Sequence, residues 1–309
     1  MMTRRRFMSS ALALPAMGAI GALASCSTER PLATSAKPLL IDSHVHVWTT
    51  DPKYPFAVGA DVPPGVDASA ERLLQLMANN GVSRTVLIQV IHYKWDNSYL
   101  ADVLKRYPDK FHGVARVNPT DPAAPDHVSE LTAQGFRGIR LSPGKGPQGD
   151  WIQGPLMAPL WSRCDQLKVP MTLLTPAIRL PQISKLIERY PDLTVVIDHM
   201  ADAALDQPEQ IQDLLALARY PNVYVKISHL WSLSQQPYPF PDSFVLLKKV
   251  YDAFGPKRLM WGTDHPICLP YVTYAQAVSL YRDHLDFMPL ADREEIWHGT
   301  VQRVWPFGL

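Results

Sequence analysis

The sequence predicts one α/β domain folded as a (β/α)8 TIM-like barrel, and three observations predict it. Eight short apolar runs recur at fairly regular distances, each continuous rather than alternating, as expected of strands buried on both faces of a parallel sheet. Helical patterns lie between them, the signature of repeated βα units. No glycine-rich phosphate loop follows the first run, which disfavours an open doubly wound sheet; His44-Val45-His46 follows instead. The stretch 38–309 is close to the ~250 residues usual for such a barrel.

The predicted strands, in order, are Leu39–Ile41, Thr85–Val90, Gly113–Val117, Gly138–Leu141, Met171–Leu174, Thr194–Ile197, Val223–Ile227 and Leu259–Trp261. Helix signals fill the gaps. Ala70–Asn79 groups Leu73, Leu74, Leu76 and Met77 and stops at Asn80-Gly81, a C-terminal signal. Ile183–Tyr190 and Ile211–Tyr220 each stop before a proline, as does the segment ending at Tyr107, because proline disfavours helical geometry in the residue before it. A last helix over Asp292–Val304 is expected to pack outside the barrel after the eighth strand.

Residues 1–25 read as an export signal rather than as fold. Arg4-Arg5-Arg6 precedes a stretch rich in Ala, Gly and Leu, too short for a permanent membrane span, in a twin-arginine pattern. Leu23-Ala24-Ser25-Cys26 has the form of a bacterial lipobox, so Cys26 is the expected lipidation site. A lipid there would hold the protein on a membrane without a spanning helix, on the periplasmic or cell-envelope side. Residues 26–37 form the expected flexible tether. Arg4, Arg5 and Arg6 are the only charges among the first 25 residues, so their loss turns a net charge of +1 into −2. That balance excludes nucleic acid as a partner. Cys164 and Cys268 remain as the other two cysteines; an oxidising compartment allows a disulfide between them, folded export favours two free thiols, and the absence of paired Cys/His knuckles disfavours a structural zinc site. The oligomeric state is not encoded in any readable pattern.

Chemistry in such a barrel sits at the C-terminal strand ends. The first strand ends at His44 and His46, the second at Gln89 with His92 and Tyr93 beyond. The third ends at Arg116, the fourth at Arg140, and the sixth at Asp198 and His199. The seventh ends at Lys226, Ser228 and His229, and the eighth at Asp264. His44 and His46 are two apart, so an extended chain puts both imidazoles on one face, where they can chelate one ion. His199 is either an active-site group or a satisfied core histidine. Arg116 and Arg140 can each grip a carboxylate at two points, or else pair with a neighbouring acid. Gln89, His92, Tyr93 and His229 are the further candidates for substrate contact.

The set resembles the amidohydrolase superfamily, in particular its amidohydrolase-2 group, whose members include pyrone-dicarboxylate and sugar-acid lactonases. The segments that carry the resemblance are Ile41–Trp48, Gly135–Leu141, Tyr190–His199, Asn222–Ser228 and Arg258–Asp264. The resemblance implies that His44, His46, His199 and Asp264 are catalytic, with Asp264 the general base toward water. It implies opening of a lactone ester, carboxylated or sugar-derived. The chain departs from the metal-dependent pattern by lacking a histidine at the fifth strand end, which reads Leu174-Thr175-Pro176, and a lysine on the fourth. That disfavours a two-metal centre. One divalent ion such as zinc on His44, His46, His199 and Asp264, and catalysis without metal, both stay open. The alternatives are a non-oxidative decarboxylase of the same fold and a non-catalytic tethered binding protein.

Overall fold

The computed structural model describes residues 39–60, 65–142 and 151–308. The expected signal at 1–25, the tether at 26–37 and Cys26 lie outside the described residues. Eight parallel strands, β1 (Leu40–Val45), β2 (Val82–Ile88), β3 (Phe111–Arg116), β4 (Gly138–Leu141), β5 (Met171–Leu173), β6 (Val195–Ile197), β7 (Val223–Lys226) and β8 (Leu259–Met260), pair in chain order. The barrel expected from sequence is the fold observed.

The ends of β8 and β1 close the ring without a regular ladder. Asp264 N–H donates to the His44 carbonyl at 2.9 Å, His46 N–H to the His265 carbonyl at 2.7 Å, and Ser43 N–H to the Trp261 carbonyl at 3.2 Å. This seam is why β1 runs to Val45 rather than stopping at Ile41 as expected. A carboxylate reinforces it: Asp42 accepts from Thr263 N–H at 3.0 Å, from the Thr263 hydroxyl at 2.6 Å and from His44 N–H at 3.1 Å. Gly262 permits the approach, because a Cβ there would lie 2.8 Å from His44 Cβ. β2 begins at Val82, earlier than expected, because Val82 pairs with Leu40. It ends before Gln89-Val90, where the chain leaves for the turn Ile91–Tyr93.

Helices wrap the strands. The first, α1 (Ala70–Asn80), starts where the Ser69 hydroxyl accepts from Arg72 N–H and ends at Gly81 in the left-handed conformation, as the sequence signal requires. Then come α2 (Ser98–Arg106), α3 (Ala124–Ala133), α4 (Met157–Leu167), α5 (Leu180–Arg189) and α6 (Pro208–Ala216). Both α2 and α5 stop before their Tyr-Pro pairs, while α6 hands over to a 3-10 turn at Leu217–Arg219. A short α7 (Leu230–Leu233), α8 (Phe244–Phe254) and α9 (Tyr274–Asp283) complete the shell. Among the described residues no helix is long and apolar enough to cross a membrane. Cys164 and Cys268 are buried and free, and burial pushes the Cys164 thiol up to about 12.

The C-terminal segment departs from expectation. Helices α10 (Leu290–Glu294) and α11 (Thr300–Val304) flank a π-helical turn at Glu295–Gly299, but the chain does not stay outside. Trp305 is buried with Val301, Val304 and Phe307 against Ile41, Val86, Val114, Val196 and Met260. These are barrel-interior positions, so the indole plugs the N-terminal end of the ring. Gly138 makes room for it, since a Cβ there would stand 3.2 Å from Trp305 Nε1. Replacing Trp305 by Ala leaves a void among fixed strands, and an unfolding free energy lower by about 3–5 kcal/mol is expected in urea titration.

Candidate active site

Side chains alternate along each strand, and the interior changes character over two residues. Val114 and Val196 belong to the apolar floor above Trp305, as does Tyr224 at its edge. Two positions further along the same strands stand Arg116, Asp198 and Lys226, and Arg140 stands two beyond Gly138. Three of these form a buried ion network. Lys226 Nζ lies 3.1 Å from Asp198 Oδ1, and Arg140 Nε donates to Asp198 Oδ2 at 2.9 Å. His44 Nδ1 is 3.3 Å from Asp198 Oδ1 and 3.1 Å from Lys226 Nζ. Burial alone would raise the Asp198 pKa, but the Lys226 cation, the His44 ring and the Arg140 cation outweigh it and hold the carboxyl well below its usual range. Burial, with the Lys226 cation, pushes His44 down to about 3, so the ring is neutral.

His46 is oriented from the opposite side. Its Nδ1 lies 2.7 Å from the Ile88 carbonyl, which can only accept, so Nδ1 carries a hydrogen and Nε2 is the ring atom left to ligate. His46 Nε2, His44 Nε2 and Asp264 Oδ1 are mutually 3.3, 3.5 and 3.4 Å apart. Donors on a tetrahedral zinc at about 2.0–2.1 Å would lie roughly 3.3–3.4 Å from one another. Asp264 Oδ1 is buried and accepts no hydrogen bond. The three groups therefore fit a single divalent ion, with His44 backed by Asp198 and His46 by a carbonyl, as ligating histidines usually are. A second cluster of His44, Asp198 and His199 also gathers its ligand atoms within 4.8 Å of one another, but Asp198 is already neutralised by two cations. His199, expected as a fourth ligand, stands outside the first set, with its Nδ1 2.8 Å from the Ser228 hydroxyl.

Three site residues are held in left-handed backbone. His199 has φ 54°, His229 φ 72° and Asp264 φ 56°, and Met200, Ala201 and Asp202 continue the left-handed run after His199. Each such non-glycine residue costs roughly 1–2 kcal/mol, and strain of this kind gathers at functional sites. The geometry turns His199 and His229 together, their rings stacked at 4.3 Å. His229 Nδ1 lies 2.8 Å from Asp202 Oδ1, and its Nε2 lies 3.4 Å from Asp264 Oδ2. Burial would lower the His229 pKa, but the Asp202 hydrogen bond and the Asp264 charge raise it overall. Burial would raise Asp264, yet the close approach of His46 and the His199, His44 and His229 rings hold it far below the usual carboxylate range. Burial, then the neighbouring His229 and His44, keeps His199 neutral.

These groups form the floor of a cavity of about 680 Å³. Of the residues expected to meet substrate, His92, Arg140 and His229 line it; Gln89, Tyr93 and Arg116 do not. Gln89 sits one position off the inward-facing Ile88 and bonds the Asp96 carbonyl and Val90 N–H, bracing a loop. Tyr93 is buried, its hydroxyl exchanging hydrogen bonds with the Thr49 backbone. Arg116 donates to the Ser142 hydroxyl at 2.8 Å and lies over Trp95, at a separate pocket of about 390 Å³; burial and Arg140 lower its pKa to about 9. Arg140 spends its Nε on Asp198. Sequence reasoning placed Asp198 and Lys226 at strand ends without a role; their inward register was the available signal. Asp42 and Asp202 were missed, since their partners lie far along the chain or across a turn.

The amidohydrolase family model matches residues 41–307. An L-fucono-1,5-lactonase from Burkholderia ambifaria is 31% identical over 242 residues, covering 74% of this chain and 80% of that protein. A 2-pyrone-4,6-dicarboxylate hydrolase from Comamonas testosteroni is 28% identical, covering 73% and 76%. Among solved structures, an amidohydrolase from Burkholderia multivorans with bound zinc superposes with a TM-score of 0.74 at 23% identity, covering 87% of this chain and 100% of its own; at that identity the likeness is one of fold.

Removing the charge of Lys226 leaves Asp198 and His44 short of a buried partner. Lys226→Met is expected to lower the unfolding free energy by about 3–5 kcal/mol, measured by denaturant titration against the parent chain.

Proposed function

The chain belongs to the amidohydrolase family, and we propose that it hydrolyses the ring ester of a lactone. The observation that carries the reading is the pairing of Asp264 with His229 at the cavity floor. Two titratable groups in contact have pKa values pushed in opposite directions, one toward permanent ionisation and one toward holding a proton, which is how acid and base roles separate. The relatives named for lactones support it.

Asp264 Oδ2 accepts a proton as water adds to the lactone carbonyl. The ring C–O bond then breaks, and His229 Nε2 supplies the proton that the departing alkoxide needs. Asp264 returns its proton to His229 across the 3.4 Å gap, and the net change is one lactone and one water to one hydroxy acid. Charge developing on the carbonyl oxygen meets the proton-holding His229 ring in a site shielded from water. An ion held by His44, His46 and Asp264 Oδ1 would add Lewis-acid polarisation of that carbonyl. A decarboxylase reading is weaker: β5 leads into Leu174-Thr175, without the histidine those enzymes keep. Export by the twin-arginine pattern and anchoring through Cys26 belong to the same proposal and rest on the sequence alone.

Asp264→Asn keeps the shape and removes the base. A fall in kcat/KM of about 10²–10⁴ is expected on any lactone the parent opens, followed by pH-stat, with the circular dichroism spectrum unchanged. Metal analysis after zinc loading and dialysis is expected to find about one equivalent on the parent and none on His46→Ala, since three ligands complete the smallest stable site.

A further inference from the structure

We infer that the substrate is an uncharged lactone bearing an apolar substituent, with the ring on the His/Asp floor and the substituent along the outer wall of the cavity. This rests on the lactonase reading and adds the substrate class to it. The volume, about 680 Å³, is that of pockets enclosing ligands much larger than a bare lactone ring. Above the floor the wall is built from Ile91, Leu174, Trp231, Ile267, Leu269 and Tyr271. Large apolar side chains are left open to solvent there: Tyr271 is 57% exposed, Ile91 50% and Leu269 37%. Trp231 and Tyr271 stack at 4.3 Å with their planes 16° apart, a flat wall for a hydrocarbon or ring to lie against. Exposed apolar side chains gathered at one cavity mouth mark a binding surface.

The charges tell against an acidic substrate. Among the described residues lining the cavity, the charged ones are Arg140, Asp202, Asp264 and the protonated His229. Arg140 is already paired with Asp198, and Asp202 with His229. A carboxylated lactone would bring its charge toward two acids, Asp202 and Asp264, and toward two cations, Arg140 and His229, that are already paired with acids. A polyhydroxylated lactone would bury several hydroxyls against a wall whose polar atoms are few, the Trp231 indole N–H and the Tyr271 hydroxyl among them, and each hydroxyl left without a partner is costly.

The test is steady-state kinetics of the full chain on δ-valerolactone, δ-octalactone, δ-decalactone and δ-dodecalactone, beside 2-pyrone-4,6-dicarboxylate and L-fucono-1,5-lactone. The expected result is a kcat/KM that climbs with chain length, up to about fourfold for each methylene the wall covers, and exceeds that of the dicarboxylate and the sugar lactone. Tyr271→Ala and Leu269→Ala, both at exposed positions, are expected to flatten the climb. Hydrolysis with no dependence on chain length, or preference for the dicarboxylate or sugar lactone, would overturn this inference and leave the lactonase reading standing. Absence of turnover on every lactone would overturn the lactonase reading and this inference with it.

Discussion

The structure depends on a carboxylate at the barrel seam. Asp42 binds the Thr263 backbone and hydroxyl and the His44 N–H, tying the first strand to the last across more than two hundred residues. Without that clamp the β8 end, only two residues of regular strand, would have little to hold it. With it, Gly262 packs against His44 and the next two residues deliver Asp264 beside the histidine pair. Barrel closure and active-site assembly are thus one event. Burial pushes Asp42 up to about 7 against the three hydrogen bonds that pull it down, so the seam is also where the fold tolerates a costly buried group.

A second constraint works inside the ring. Lys226, Arg140 and Asp198 place two cations and an anion where solvent is excluded, and a buried set of this kind is stable only when every member is paired. The consequence is positional. Asp198 and Lys226 flank His44 Nδ1, the Ile88 carbonyl accepts from His46 Nδ1, and the opposite nitrogens of both rings are turned toward Asp264. Beneath them Trp305 fills the space that would otherwise let the network reach water from below, with Lys226 Nζ 5.3 Å from its ring.

Strain is concentrated at the top of this assembly. His199, His229 and Asp264 all occupy left-handed backbone, and the cost is offset by the packed strands below and the seam beside them. An extended continuation of β6, β7 and β8 would point these side chains on alternating faces of separate loops. The left-handed turns bring them back over the barrel axis, where an acid, a base and a neutral ring stand in contact.

The fold was legible in the sequence because its signals are local. Continuous apolar runs mark strands buried on both faces, and Tyr-Pro and Asn-Gly mark where helices must stop. The same locality made His44, His46, His199 and Asp264 readable as a group, since strand ends in a closed barrel converge. Gln89 was misplaced because a shift of one residue at the end of β2 exchanges inside for outside, and Tyr93 because the turn after β2 aims its hydroxyl at the Thr49 backbone. Only the tertiary structure decided that Asp198 binds Arg140 and so withdraws it from the substrate, that Asp202 directs His229, and that the C-terminus enters the barrel. Those outcomes depend on pairings between residues far apart in the chain and on backbone dihedrals that side-chain identity does not reveal.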